Sequence, residues 1–538
     1  MLTFKTAIMK RSSNYIFFLL IIFTVSCKKQ LDKQPLDQVA STTYWQTQSD
    51  AVQAVNQCYG YLTDIDDDCF LSCATDDSYA WSGWPVDVPS VGNGSATAQQ
   101  GMFDQHWSHS YSAIASANNV LDNIGNIPSS ALADTLRSRY RAEARFIRAY
   151  YYQQLIGYYG AVPLIEHIQT PAQFDPARTS VDSVAAFVVS ELTVIKDSLP
   201  LTYGAADQGR VTRGAALALL ARTQLYQGDY TDAAAAAQAV MNLGIYSIDQ
   251  NGFDNLFSGK TANSPEVILA GQYLQPTYAS GLATWMGGPT LGGWSEVTPT
   301  EKLVDDYECT DGQPITTSPL YHANHPAQNR DPRLLMTVMM PDTINVVNGD
   351  TINIEAPHSI DGLGQNNASF TGYYYKKYFP NVVNGQYYNN SFNNEILIRY
   401  AEVLLTYAEA KIELGQIDQS VYDAINQVRQ RAGVGQPAAT AVLYPDQASL
   451  RTLVRRERHV EFAVEPQRLF DIRRWKIADS VMPGPVYGVL NNFNSSRSDY
   501  GQHVQVEIRA FNPNRDYLWA IPQNELLLNK NLTQNPGW

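Results

Sequence analysis

Residues 212–242 read TRGAALALLARTQLYQGDYTDAAAAAQAVMN, and this stretch decides the fold. Leu217, Leu220, Ala221 and Leu225 recur at three- and four-residue spacings, the apolar face of a helix over 212–227. Gly228-Asp229-Tyr230 breaks the run, and Ala233 belongs to a second helix of small residues over 231–242. These are the offsets of a tetratricopeptide (TPR) unit, in which two antiparallel helices meet at a Gly-Asp-Tyr-like turn and small residues let them approach. Leu404, Tyr407, Ala408 and Gly415 repeat the offsets, and Ile417, Ser420 and Ala424 continue them. Roughly 190 residues separate the two units, so an interrupted helical solenoid is expected.

Outward from these units the pattern stays helical. Helices are predicted over 48–63, 107–124, 131–159, 181–199, 395–414, 419–432 and 447–464. Glu143 follows Arg139 by four residues, the spacing of a helical ion pair. Arg141, Arg145 and Arg148 crowd the same helix and need partners from elsewhere. Between the helices, 64–68 reads as an acidic loop and 76–106 as a long irregular stretch. Residues 244–394 are rich in Gly, Pro, Asn, Thr and Tyr, with β-prone runs at 266–270 and 334–340 and a hairpin turn at Asn348-Gly349-Asp350. The fold class is therefore mainly α, a TPR-like scaffold of helical pairs carrying a loop-rich ligand-binding subdomain.

The start of the chain has its own logic. Lys5, Lys10 and Arg11 precede an apolar run at 15–25, and Ser26 meets Cys27. That is the layout of a secretory signal over 1–26. Eleven residues rise about 16 Å as a helix, short of a ~30 Å hydrocarbon core, so removal rather than membrane spanning is expected. A cysteine at the cut predicts lipidation of Cys27, although Thr24 stands where such signals carry Leu, Val or Ile. The polar stretch after it would tether the body to a membrane. The expected domains are 27–243 and 244–538, the latter holding the insertion 244–394 and the returning helices.

The 538-residue chain holds 38 basic and 52 acidic residues, net −14, and loss of 1–26 leaves −17. Such a surface repels nucleic acid and anionic headgroups. Cys58, Cys69, Cys73 and Cys309 read as one local disulfide or as buried thiols, their connectivity open.

Several segments resemble the SusD/RagB family of outer-membrane nutrient-binding lipoproteins. They are ANNVL at 117–121, RAEARFIRA at 141–149 with GAVPL at 160–164, and NEILIRYAEVLL at 394–405. RRER at 455–458 leads to RLFDIRRW at 468–475, and IPQNEL at 521–526 leads to NLTQNPG at 531–537. The resemblance implies a helical-pair scaffold that caps a TonB-dependent, SusC-like transporter at the cell surface. It also implies anchoring in the outer membrane by lipid, oligosaccharide or sometimes peptide cargo, and no catalysis.

Ligand candidates are aromatics in loops, because sugar C–H faces stack on flat rings. They are Tyr79, Trp81 and Trp84 in one loop and Tyr278, Trp285 and Trp294 in another, with Asp76 and Asp77 able to bond hydroxyls or cap a turn. Trp107, Trp475 and Trp519 read as core. Arg145, Glu402, Arg456, Glu457 and Arg474 read as ion pairs that clamp helices. Gly287-Gly288, Gly292-Gly293 and Gly92-Asn93-Gly94 would admit a ligand or a neighbouring backbone. His322 and His325 lack a third ligand, so no metal site is read there. Asp64, Asp66, Asp67 and Asp68 lack the Gly and distal Glu of an EF-hand, which leaves calcium without a clear motif. No nucleophile elbow, zincin or phosphate loop is present. No cofactor and no catalytic residue are expected.

Overall fold

The computed structural model describes residues 44–379 and 393–538, apart from 64, 85, 259–263, 275–276, 348, 357 and the side chains of 65–67. Cys27 and the signal segment lie outside the described residues.

The scaffold begins with α1 (Gln48–Tyr59), opened by a reciprocal Thr47–Asp50 capping box. After α2 (Ile65–Leu71) and the short strand β1 (Ser78–Ala80) come the long helices α3 (Gly101–Asn123) and α4 (Asp134–Tyr159). Then follow α5 (Val181–Ile195), α6 (Arg213–Gln227) and α7 (Tyr230–Met241). Each helix from α3 to α7 packs on the next. The Thr212 hydroxyl accepts from Ala215 N–H and starts α6, and Gly228 at φ 82° ends it in the left-handed conformation. Gly415, at the same place in the second unit, has φ 68°. The predicted turn glycines are thus required by backbone conformation.

The insertion holds β2 (Val267–Gly271), α8 (Leu282–Met286), β3 (Val297–Pro299), α9 (Glu301–Asp306) and α10 (Pro332–Thr337). The chain returns through β4 (Glu395–Arg399), α11 (Tyr400–Glu413), α12 (Gln419–Arg429), α13 (Gln447–Glu461), α14 (Gln467–Arg474) and α15 (Gln523–Leu528). Helix α7 packs directly on α11, which packs in turn on α12 and α13. The solenoid is interrupted in sequence and continuous in space. β2 and β4 pair antiparallel, Val267 opposite Arg399, and zip the insertion shut where it leaves and rejoins the scaffold.

Three expectations are corrected. Residues 395–399 form a strand rather than the first turns of a helix, because β2 supplies their backbone partners. The acidic stretch is helix α2, not a loop; its apolar end, Cys69, Phe70 and Leu71, is buried and holds it in place. Residues 334–337 are helical, and only Val338–Met339 are extended. The hairpin holds, with Asn345 opposite Ile352 and Val347 opposite Asp350. Cys58, Cys69, Cys73 and Cys309 are buried thiols, none in a disulfide. No helix among the described residues is long and apolar enough to cross a membrane.

A buried ionic core fastens the insertion to the scaffold. Arg399 of β4 reaches Glu461 of α13 at 2.6 Å, Glu266 at 3.0 Å and Glu465 at 2.8 Å. Arg333 of α10 reaches Glu457 at 2.5 Å and Glu461 at 2.9 Å. Burial pushes the Glu461 carboxyl up, but Arg431, Arg399 and Arg333 outweigh it and hold it well below the usual carboxylate range. The clamps read from the sequence are here as well: Arg145–Glu191 (2.7 Å), Arg222–Glu402 (2.6 Å), Arg456–Glu308 (2.8 Å), Glu457–Arg429 (2.8 Å) and Arg474–Glu409 (2.6 Å). Arg139 pairs with Glu143 at 3.2 Å.

Candidate functional site

The site is built on a two-stranded ribbon. β1 pairs antiparallel with β3, Ser78 opposite Pro299, Tyr79 opposite Thr298 and Ala80 opposite Val297. That register brings the residues after β1 and those before β3 to one end. Trp81 and Trp84 leave one strand, and Trp294 and Glu296 approach the other. Trp81 Nε1–H donates to the Trp294 carbonyl at 3.1 Å, and Ser82 N–H donates to Glu296 Oε1 at 2.9 Å.

Three indoles converge beyond the ribbon. Trp84 lies 5.2 Å from Trp285 and 6.0 Å from Trp294 between ring centroids, and Trp285 lies 5.6 Å from Trp294. Their exposure is graded: Trp84 is 58% exposed, Trp294 half-buried and Trp285 only 9% exposed. Trp285, on α8, rests on Phe70 of α2 at 5.5 Å. Its Nε1–H is buried and has no acceptor among the described residues. Alongside, Trp81, 37% exposed, stacks on exposed Phe370 at 5.7 Å and 21°, and Tyr79 lies 6.3 Å from the same ring. Gly293 closes the Trp285–Trp294 loop on itself: a Cβ there would meet the Gly287 carbonyl oxygen at 2.0 Å.

The far end of the ribbon is clamped to the scaffold. Arg468 of α14 bonds both oxygens of Asp76, at 2.9 and 2.7 Å. His459 of α13 bonds Asp77 through Nε2 and Asp306 of α9 through Nδ1, the latter at 2.6 Å. Thr300 N–H donates to Asp77 O and its hydroxyl to Asp76 O. Burial and Arg468 push the His459 imidazole down, but Asp77 and Asp306 raise it to about 9, so it is a cation at neutral pH. Asp76 and Asp77 are therefore buried anchors, a correction to their reading as hydroxyl ligands or turn caps. They also lie close to His459 as metal ligands would. Arg468, His459 and Lys302 already balance their charge, so the arrangement is an ionic clamp.

The structure thus brings Tyr79, Trp81, Trp84, Trp285 and Trp294 together. Tyr278, 49% exposed, points elsewhere: its hydroxyl bonds Thr63 at 2.8 Å and its ring lies 5.8 Å from Tyr273. Phe370 and Glu296 join the site unannounced. Phe370 carried the same signal as the tryptophans, a large ring in a Gly/Asn/Ser-rich loop. Glu296 carried none. Burial lifts its carboxyl to about 7, with Ser82 pulling the other way. Trp107 and Trp519 are core, and Trp475 is partly buried with its N–H on Glu409 at 2.7 Å. His325 pairs with Asp342 at 2.7 Å. Gly92 and Gly94 admit the backbones of Cys73 and Ala510 rather than a ligand.

Comparison with known proteins agrees over most of the length. The family model described as "SusD family" matches residues 260–538, and the one described as "Starch-binding associating with outer membrane" matches 30–225. The SusD-like protein P2 of Formosa agariphila is 25% identical, over 97% of this chain and 99% of that protein. A SusD-like carbohydrate binding protein of Bacteroides fragilis has a crystal structure that superposes with a TM-score of 0.82 at 30% identity, covering 91% of this chain and 100% of that one. A laminarin-binding SusD-like protein shares the fold, with a TM-score of 0.68 at 21% identity, covering 92% of this chain and 100% of that one. With the helical pairs, the insertion and the matched segments in one order, the chain belongs to the SusD family, and the model matching its N-terminal part is described as starch-binding and associating with the outer membrane.

Proposed function

We propose that this protein binds oligosaccharides on the Trp84–Trp285–Trp294 face, with the Trp81–Phe370 stack as a neighbouring platform. The observation that supports it most is the graded indole triad with its unspent Trp285 donor. Exposed rings offer flat apolar area of the kind that C–H faces of a pyranose cover. A buried N–H without an acceptor costs free energy until a hydroxyl or water meets it. A glycan satisfies both needs together. Glycoside cleavage needs two carboxylates flanking the scissile bond; this face is built from rings, and we read it as binding without turnover.

The membrane context extends this reading. Cys27 is proposed as the lipidated residue that tethers the body to the outer membrane, where it hands oligosaccharide to a TonB-dependent, SusC-like transporter. Several acyl chains anchor stably where one is marginal. Replacement Cys27→Ala should release the protein from membranes and leave glycan binding in solution intact. Retention on membranes would remove the anchor from the account. Loss of binding in solution would show that the tether does more than anchor.

A further inference from the structure

The charges set into the indole face are of one sign. Glu296, the residue before β3, is 2% exposed, and its Oε1 accepts from Ser82 N–H at 2.9 Å. The Ser82 hydroxyl in turn accepts from Trp84 N–H at 3.1 Å. The carboxylate thus stands behind the short loop that carries both Trp81 and Trp84. Asp361, also buried, accepts from Thr290 N–H at 3.0 Å, in the loop between Trp285 and Trp294.

No cation answers these acids. Burial and Ser82 act on the Glu296 carboxyl, and no Lys or Arg does among the described residues. None lies over the ring of Trp81, Trp84, Trp285, Trp294 or Phe370 among the described residues either. Arg509, beside Tyr79, is 5% exposed and spends its donors on Thr75 O, Ser78 O and Glu507. Arg497, beside Gly364, is held by both oxygens of Asp499.

Proteins hold sulfate and carboxylate groups with guanidinium or ammonium donors. Ring faces are the negative side of the aromatic quadrupole, so they favour cations and repel anions. The net charge of −14 adds repulsion at longer range. A neutral sugar meets none of these penalties, and its hydroxyls can still take the Trp285 N–H.

We propose that the indole face takes neutral oligosaccharides and excludes sulfated and uronate ones, with Glu296 setting the discrimination. This rests on the reading of that face as the glycan site and names the class of glycan it accepts.

The test uses the full chain carrying Cys27→Ser on an array of neutral glucans, xylans, mannans, galactans, arabinans and fructans, each beside its chemically sulfated form. At least one neutral member should bind at least about tenfold more tightly than its sulfated partner at low salt, and the ratio should shrink as salt screens the repulsion. Glu296→Gln keeps an amide oxygen for Ser82 N–H and removes the charge. At about pH 8.5, above the carboxyl's value of about 7, it should shrink the ratio at least about threefold. A sulfated form bound as tightly as its parent would overturn the inference and leave the glycan face standing. A ratio moved by neither salt nor Glu296→Gln would show that sulfate bulk decides rather than charge, and would also overturn it. A ratio moved by salt alone would remove Glu296 from the account. Binding to no member of any pair would overturn the glycan reading itself.

Discussion

Trp81 donates its indole N–H to the main-chain carbonyl of Trp294 at 3.1 Å, across the open end of the β1–β3 ribbon. Two loops 213 residues apart in sequence are thereby held as one surface. The consequences are separable by mutation, because the residues that form the face differ from those that hold it.

Trp84 forms the face and supports little else, being 58% exposed. Trp84→Ala should weaken glycan binding by about 1.5–3 kcal/mol, the worth of one large apolar side chain covered. The melting temperature should stay within a degree or two. Titration calorimetry with scanning calorimetry on the same samples checks both halves.

Trp285→Phe keeps a ring on Phe70 and removes the unspent donor. A loss of about 0.5–1.5 kcal/mol of affinity is expected, the net worth of one hydrogen bond, with enthalpy becoming less favourable. Unchanged affinity would mean that the N–H does not meet the ligand.

The clamp should report as stability. Arg468→Met leaves Asp76 buried without its bidentate partner. Breaking a buried pair on one side costs about 3–5 kcal/mol. Arg399→Met should cost as much through Glu461 and Glu465. Denaturant unfolding gives both values, and a shift under 1 kcal/mol in either would show that the network relaxes around the gap.

The pH dependence has a definite sign. The folded pKa of His459 is raised from 6.5 to about 9, so its contribution is full below pH 6.5 and is lost as pH rises through 9. The Glu296 carboxyl, raised to about 7, favours the fold in its neutral form, so stability also falls between pH 4.5 and 7. Thermal melts from pH 5 to 10 should decline toward alkaline pH. His459→Gln should flatten the part between 6.5 and 9; an equal slope in that variant would contradict the clamp.

Much of this was legible in the sequence, for physical reasons. The TPR-like units announce themselves through local spacing: Leu217, Leu220 and Leu225 face inward, and Gly228 and Gly415 need positive φ. The loop tryptophans announce themselves because no periodic core claims them. What escaped is non-local. Residues 395–399 look helical until β2, more than a hundred residues away, supplies their partners. Asp76 and Asp77 look like surface carboxylates until Arg468 and His459 arrive from the other end of the chain. Tyr278 shares composition and loop context with Trp285, yet it bridges Leu274 and its hydroxyl bonds Thr63. Phe370 was readable by the rule used for the tryptophans, and Glu296 only by its burial.

The central claim rests on the indole triad as the glycan face. Tryptophan-fluorescence titration against a panel of purified polysaccharides, on the wild type, on Trp84→Ala with Trp285→Ala, and on Tyr278→Ala, tests it directly. The account predicts saturable quenching by at least one glycan, with affinity falling at least about a hundredfold in the double variant and held in Tyr278→Ala. Equal affinity in the double variant, or saturable binding lost only in Tyr278→Ala, would contradict it.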